Sequence, residues 1–353
     1  MKLANGTILF VMMIFAAGKG FCAVDTNEGK AAVKLRTMRY THRSAEEAAA
    51  WQKDLRGKLF TLLKLNDLIA KEPIATEPKQ VAVLYSEPGG KYVAKEFEIN
   101  STPTRRMKIV VTVPTSGQGP FPAVVCLGGH GSDRYSTYDE KVKGNIKGRN
   151  ATVEMDNIYK RFGSKLAERG VVTISADVAR HEVYEQGRIL MGERLWDVMR
   201  CVDYLVSMPE VDKSRIGCAG LSLGGEMTMW LGAMDTRVAA TISCGFLTTM
   251  DHMEKNHCMC WKFEGLRELA DYADIFSLTA PRALQCQNGI KEPESQFYVP
   301  LARKAMEEVR IVYVDMDRPE NVLLDVHQGE HEVDVPGLMY FLGKHLGFGC
   351  DGK

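Results

Sequence analysis

From Phe121 to the C-terminal region, runs of consecutive apolar residues alternate with stretches in which apolar positions recur every three or four residues. The runs are "FPAVVCLGG" (121–129), "GVVTISADV" (170–178), "SRIGCAGL" (214–221), "RVAATISCGF" (237–246), "PRALQCQNG" (281–289) and "NVLLDVHQG" (321–329). Their length and lack of alternation predict strands buried on both faces. The intervening stretches predict helices at about 156–168, 191–207, 223–234, 296–308 and 336–346. Such alternation argues for an α/β architecture, a mainly parallel sheet with helices on both faces. Ligand sites in sheets of this kind lie beyond the carboxyl ends of the strands.

The pattern ahead of Phe121 is different. "QVAVLYSE", "KYVAKEFEIN" and "RRMKIVVTVP" read as a meander of antiparallel strands, with "EPGG" (87–90) as a hairpin turn. Earlier still, "SAEEAAAWQKDLRGKLFTLLKL" (44–65) carries a Ser N-cap, Glu47 three residues on, and apolar positions at Trp51, Leu55, Leu59 and Leu62 or Leu63. This predicts an amphipathic helix. The chain opens with one early lysine, an apolar stretch from Ile8 to Ala17 and small residues before Val24. That stretch is too short to span a bilayer, and it is expected to be a cleaved secretory signal peptide, with an uncleaved anchor as the alternative. The expected organisation is a signal peptide (1–23), an N-terminal extension with the amphipathic helix (24–75) and one α/β domain (76–349), exported to a periplasm or secreted.

Composition narrows the partners. Lys plus Arg and Asp plus Glu are 45 each, so net charge offers no basis for binding nucleic acid, or for holding the mature chain on an anionic membrane. Of nine cysteines, Cys126, Cys201, Cys218 and Cys244 sit in apolar runs, where cysteine is a small buried hydrophobe. Cys258 and Cys260, in "NHCMCW", can be placed with His257 and His252 as zinc ligands, but no second Cys-x-x-Cys completes a four-ligand set. No metal or organic cofactor is therefore expected. Composition is silent on oligomeric state.

The candidate chemistry lies in "IGCAGLSLGGEM" (216–227), where Ser222 stands within a Gly-x-Ser-x-Gly pattern. The pattern has weight only with a strand before it and a helix after it, and both are predicted here. In that setting the serine occupies a sharp turn with its hydroxyl exposed as a nucleophile, while flanking glycines let neighbouring backbone approach. A serine hydroxyl needs a general base, an imidazole oriented by a carboxylate, and in this class of sheet the chain order is Ser, acid, His. His331, in the loop after the last strand, is preferred over His327 at the strand end and His345 in the final helix. The acid is expected after the preceding strand, in "QCQNGIKEPESQF", with Glu292 ahead of Glu294 and with Asp274 and Asp315 as outlying candidates. Backbone N–H groups of Leu223 and of His130, in "GGHGSD", are the candidate donors to a developing oxyanion.

"CLGGHGS", "LWDVMRCVDYLVSMPEVDKSRIGCAGLSLGGEMT", "HCMCW", "APRALQCQNGIKEP" and "GEHEV" together resemble the α/β-hydrolase superfamily, in its exported bacterial branch related to acetyl xylan esterases and dienelactone hydrolases. The resemblance spans residues 44–348. It implies the α/β-hydrolase fold, Ser222 as nucleophile, His331 as base, Glu292 as acid, and a short acyl ester on a small molecule or polysaccharide as substrate. The chain departs from the family at Gly128-Gly129, where His-Gly is usual, and at Glu292, where Asp is usual. The "HCMC" pair is a family feature by the same resemblance. Two other readings are a peptidase of prolyl oligopeptidase type, disfavoured by the short stretch before "AVVCL", and an inactive hydrolase fold used for binding.

Overall fold

The computed structural model describes residues 35–70, 74–144 and 157–349, all within one compact unit, Lys34–Lys353. The expected signal peptide lies outside the described residues. Nine strands form one sheet: β1 (Lys79–Tyr85), β2 (Tyr92–Asn100), β3 (Arg106–Pro114), β4 (Phe121–Leu127), β5 (Val172–Ala176), β6 (Val211–Leu221), β7 (Val238–Cys244), β8 (Ala283–Gly289) and β9 (Val322–His327). Their spatial order is β1-β2-β3-β5-β4-β6-β7-β8-β9. The first three strands form an antiparallel meander and β3 pairs antiparallel with β5. From β5 to β9 every pairing is parallel.

The longer helices are α1 (Ala45–Leu62), α2 (Leu190–Ser207), α3 (Leu223–Met234), α4 (Val299–Asp315) and α5 (Val335–Leu346). Because successive strand side chains point to opposite faces, β4 divides itself between two cores. Ala123, Val125 and Leu127 join the core under α1 to α4, while Val124 and Cys126 join the core under α5 and the short helix Phe162–Ala167. A sheet covered this way on both faces requires apolar runs, which explains the absence of alternation in the six segments from β4 to β9. No helix among the described residues is long and apolar enough to cross a membrane.

Helix α1 begins at a full capping box, in which the Ser44 hydroxyl accepts from the Glu47 N–H and the Glu47 carboxylate accepts from the Ser44 N–H. Such a cap contributes about 1 kcal/mol. Its buried face, Trp51, Leu55 and Leu59, enters the same core as α2 and α3, and Gln52 donates to the carbonyls of Ser277 and Ala280. The described part of the N-terminal extension is thus packed into the α/β body. Asp274 and Asp315, the outlying candidates for the acid, serve this packing. Asp274 binds Arg36 and the Tyr40 N–H, and Asp315 binds Tyr40, His42 and the Arg43 N–H.

Candidate active site

Strand β6 ends at Leu221 and α3 begins at Leu223, so Ser222 alone makes the turn, at φ 60° and ψ −122°. A residue with a side chain in this region is strained by about 1–3 kcal/mol. The surrounding backbone holds it there. The Ser222 N–H donates to the Cys244 carbonyl at the end of β7, and the Ser222 carbonyl accepts from Glu226 in the first turn of α3. The glycines permit this crowding: a Cβ on Gly224 would lie 2.4 Å from the Leu127 carbonyl oxygen, and one on Gly220 would lie 2.5 Å from the Gly224 carbonyl oxygen. As the first residue of α3, Leu223 has an N–H with no partner inside the helix.

The carboxylate of Glu292, in the loop after β8, is buried. It accepts from the Gly289 and Phe297 N–H groups and meets His331 Nδ1 at 3.1 Å. An imidazole hydrogen-bonded through Nδ1 to a carboxylate presents Nε2 as its basic nitrogen. The His331 ring also stacks on Phe297, with centroids 5.4 Å apart. Gly245 also abuts the ring: a Cβ there would lie 2.8 Å from both Nδ1 and Cε1. Ser222 and His331 therefore both abut the Cys244–Gly245 peptide, Ser222 by its N–H and His331 by its ring. Glu294 is exposed. His327 accepts the Gly329 N–H, and His345 packs against Phe341 on α5.

On the other side of Ser222 runs the loop after β4. A Cβ on Gly129 would lie 2.8 Å from Ser222 Cβ and 2.9 Å from the Leu221 carbonyl oxygen, so only glycine allows this approach. The Gly129 N–H donates to the Tyr159 hydroxyl at 2.7 Å, and the Gly129 carbonyl accepts from the Ser132 hydroxyl at 2.6 Å. The His130 N–H donates to no group among the described residues. Tyr159 and Ser132 brace a loop that lacks the usual His-Gly, and sequence reasoning missed both. Below the elbow, Glu226 is buried; desolvation, opposed by the nearby Arg194, pushes its carboxyl up to about 8.

Cys258 and Cys260 do not meet His252 and His257. His257 instead stacks on Phe297 at 4.8 Å and sits 5.6 Å from His252. The two thiols turn toward other loops. Cys258 Sγ lies 3.4 Å from His181 Nε2, and Cys260 Sγ lies 3.3 Å from His130 Nε2. The His130 and His181 rings are stacked, 5.3 Å apart. His181, in "VARHEV" after β5, carried no signal in the sequence, because nothing local ties it to residues almost eighty positions away. The remaining described cysteines, Cys126, Cys201, Cys218, Cys244 and Cys286, are buried, and the described cysteines are all free.

A mainly parallel sheet bearing a strained serine at a strand-to-helix turn, with a histidine–carboxylate pair beyond later strands, defines an α/β-hydrolase-type protein. A model of the Abhydrolase family matches residues 30–290, and the chain belongs to that family. The match includes Ser222 but ends before Glu292 and His331. Among relatives, YtaP of Bacillus subtilis, provisionally described as a hydrolase, is 24% identical over 249 residues, 64% of this chain and 77% of YtaP. The 2,6-dihydropseudooxynicotine hydrolase of Paenarthrobacter nicotinovorans is 27% identical over 177 residues, 50% of this chain and 40% of that one. Among solved structures, a glucuronoyl esterase from Solibacter usitatus superposes with TM-score 0.66 at 16% identity, covering 89% of this chain and 98% of that one. A Bacteroides fragilis protein provisionally described as an acetyl xylan esterase gives 0.61 at 18%, covering 84% and 79%.

Proposed function

We propose that the protein is an exported serine hydrolase that cleaves carboxylic esters through an acyl-enzyme. The observation that carries this reading is the shared Cys244–Gly245 peptide, which brings strained Ser222 and the Glu292-paired His331 to the same strand end. In the first half-reaction the Ser222 hydroxyl attacks the ester carbonyl while His331 Nε2 takes its proton, and the imidazolium returns that proton to the departing alcohol. Water then attacks the acyl group by the same relay and releases the acid and the free serine. Glu292 holds the imidazole tautomer and offsets its transient charge. The N–H groups of Leu223 and His130 receive the oxyanion.

The substrate class rests on the resemblance and on the names of the structural neighbours, which are carbohydrate esterases: a short acyl ester on a plant-type carbohydrate. The apolar segment and small residues at 1–23 support export. The test is fluorophosphonate labelling of the purified protein beside Ser222→Ala, with release of acetate from p-nitrophenyl acetate and from acetylated xylan followed in parallel. Labelling and turnover that both vanish in Ser222→Ala are the expected result. A folded wild-type protein that neither labels nor turns over sinks the proposal and leaves the inactive, binding-only reading. Turnover of a glucuronate methyl ester in place of acetyl esters keeps the mechanism and replaces the substrate.

A further inference from the structure

We propose that His130, His181, Cys258 and Cys260 form a Cys2His2 site for a tetrahedral divalent cation of the zinc type, which fastens the segment over Ser222 to the loop carrying the His130 N–H. The four candidate ligand atoms, one from each side chain, lie within 4.8 Å of one another. The two Nε2···Sγ separations are 3.3 and 3.4 Å. In a tetrahedron with metal–sulfur bonds near 2.3 Å and metal–nitrogen bonds near 2.0 Å, adjacent ligand atoms stand about 3.3–3.8 Å apart. The cluster needs little movement to close on an ion. Two soft sulfurs and two imidazoles are the donor set of closed zinc sites, and four protein ligands leave no open coordination position for substrate. Loading would displace the two thiol protons to solvent, leaving a neutral centre of one dication and two thiolates.

A second observation points the same way. The Arg194 side chain, wholly buried, donates from Nη1 to Cys260 Sγ at 3.3 Å and from Nη2 to the Arg180 carbonyl. A buried guanidinium hydrogen-bonded to a cysteine sulfur fixes where that sulfur sits, as outer donors do around metal ligands. This is the outer support that metal-ligating side chains commonly require.

Topology says what the ion would do. The ligands come from loops after β4 (His130), β5 (His181) and β7 (Cys258, Cys260), and β6 lies between β4 and β7 in the sheet. The segment after β7 must therefore cross the end of β6, where Ser222 stands. Its His257 belongs to the stack that runs through Phe297 to His331, and the next residue, Cys258, already reaches His181. An ion here would tie the His331 side of the site to the His130 side across the serine. The positioning role rests on the function proposed above; the ion-binding site does not.

The test begins with protein purified without a polyhistidine tag, its metal measured by mass spectrometry. The metal is then removed with chelator under reducing conditions and replaced with Co2+. One metal per chain, and a thiolate-to-cobalt charge-transfer band with the visible absorption of tetrahedral cobalt, are expected. The Cys258→Ser, Cys260→Ser double variant should lose both signals with an unchanged far-ultraviolet circular dichroism spectrum. His181→Ala should bind more weakly by a factor of ten or more. Reduced wild-type protein in which Cys258 and Cys260 are both free thiols and no cobalt band forms overturns the proposal, as does a Cys258–Cys260 disulfide in the protein as isolated. Ser222→Ala separates the two readings: it should bind cobalt with the wild-type spectrum while inactive. If wild type gives the band but never turns over an ester, the metal site stands and the esterase reading fails. For an active enzyme, metal removal should lower kcat by up to about 100-fold with little change in KM, the cost of a displaced oxyanion donor.

Discussion

Two groups of side chains crowd the same end of the sheet, and they are held in opposite ways. Ser222, Glu292 and His331 are fixed by main chain: a carbonyl of β7 on the Ser222 N–H, two backbone N–H groups on Glu292, and the bare face of Gly245 against the imidazole. His130, His181, Cys258 and Cys260 sit on three loops, and among the described residues their side chains meet one another and Arg194. Strand ends give the first group its precision. The second group is preorganised only as far as its loops are, which is where an ion adds most. The six parallel-side strands β4 to β9 each feed one of the two groups, so the sheet presents both at one face while supporting them unequally.

The sharpest way to break the first group is to remove its hydroxyl. Ser222→Ala should lower kcat by a factor on the order of 10⁴ to 10⁶ with the fold intact. Ser222→Gly should be equally inactive and melt higher than wild type, because glycine adopts φ 60° and ψ −122° without the side-chain strain. A Ser222→Gly variant that melts lower would mean the serine is not strained. Glu292→Gln keeps the shape but removes the charge facing the imidazole. It should cost roughly 10²- to 10⁴-fold in kcat, measured against Glu294→Gln, which should be indistinguishable from wild type.

The contact between the groups is tested at Gly129. A methyl group there would sit 2.8 Å from Ser222 Cβ and 2.9 Å from the Leu221 carbonyl oxygen. Gly129→Ala must therefore push the loop, and the His130 N–H with it, away from the serine. A loss of about 10²- to 10³-fold in kcat, with KM little changed, is the expected signature of one misplaced oxyanion donor. Equal activity in the two proteins would remove His130 from that role.

The same contrast explains what could be read before the structure was known. All nine strands were legible, because each is either an apolar run or an alternating one. The elbow at Ser222 was legible because the signal is local, five residues between a strand and a helix. The placement of β5 between β3 and β4 was not, since periodicity says which segments are strands but not which edges pair. His181 was invisible for a related reason: its neighbours Cys258 and His130 are brought to it only by that strand order. Phe297, stacked on both His257 and His331, and Tyr159, accepting from Gly129, escaped notice because neither a loop aromatic nor a helical tyrosine outside a motif says what it will touch. The packing of α1 into the main core followed from its apolar face, but the partner surface, at Ser277 and Ala280, did not.

The smallest expected effect belongs to the buried carboxyl that lies between the groups. Glu226 stands one turn into α3 from Ser222, and Arg194, which bonds Cys260, is its nearby positive charge. Its Oε1 has no hydrogen-bond partner among the described residues. Burial raises its folded-state pKa from 4.5 to about 8, so between those values the folded chain holds a proton that the unfolded chain has released. Stability from this group is then fully present below about pH 4.5 and declines as pH rises toward 8, with a slope of at most about 1.4 kcal/mol per pH unit. Glu226→Gln, which cannot ionise, should flatten that part of the stability curve and leave the variant relatively more stable at pH 8 than at pH 5. Urea denaturation at the two pH values reads the difference. If wild type and variant change in parallel, the Glu226 carboxylate is already ionised in the folded protein at pH 5, with Arg194 as its counter-charge.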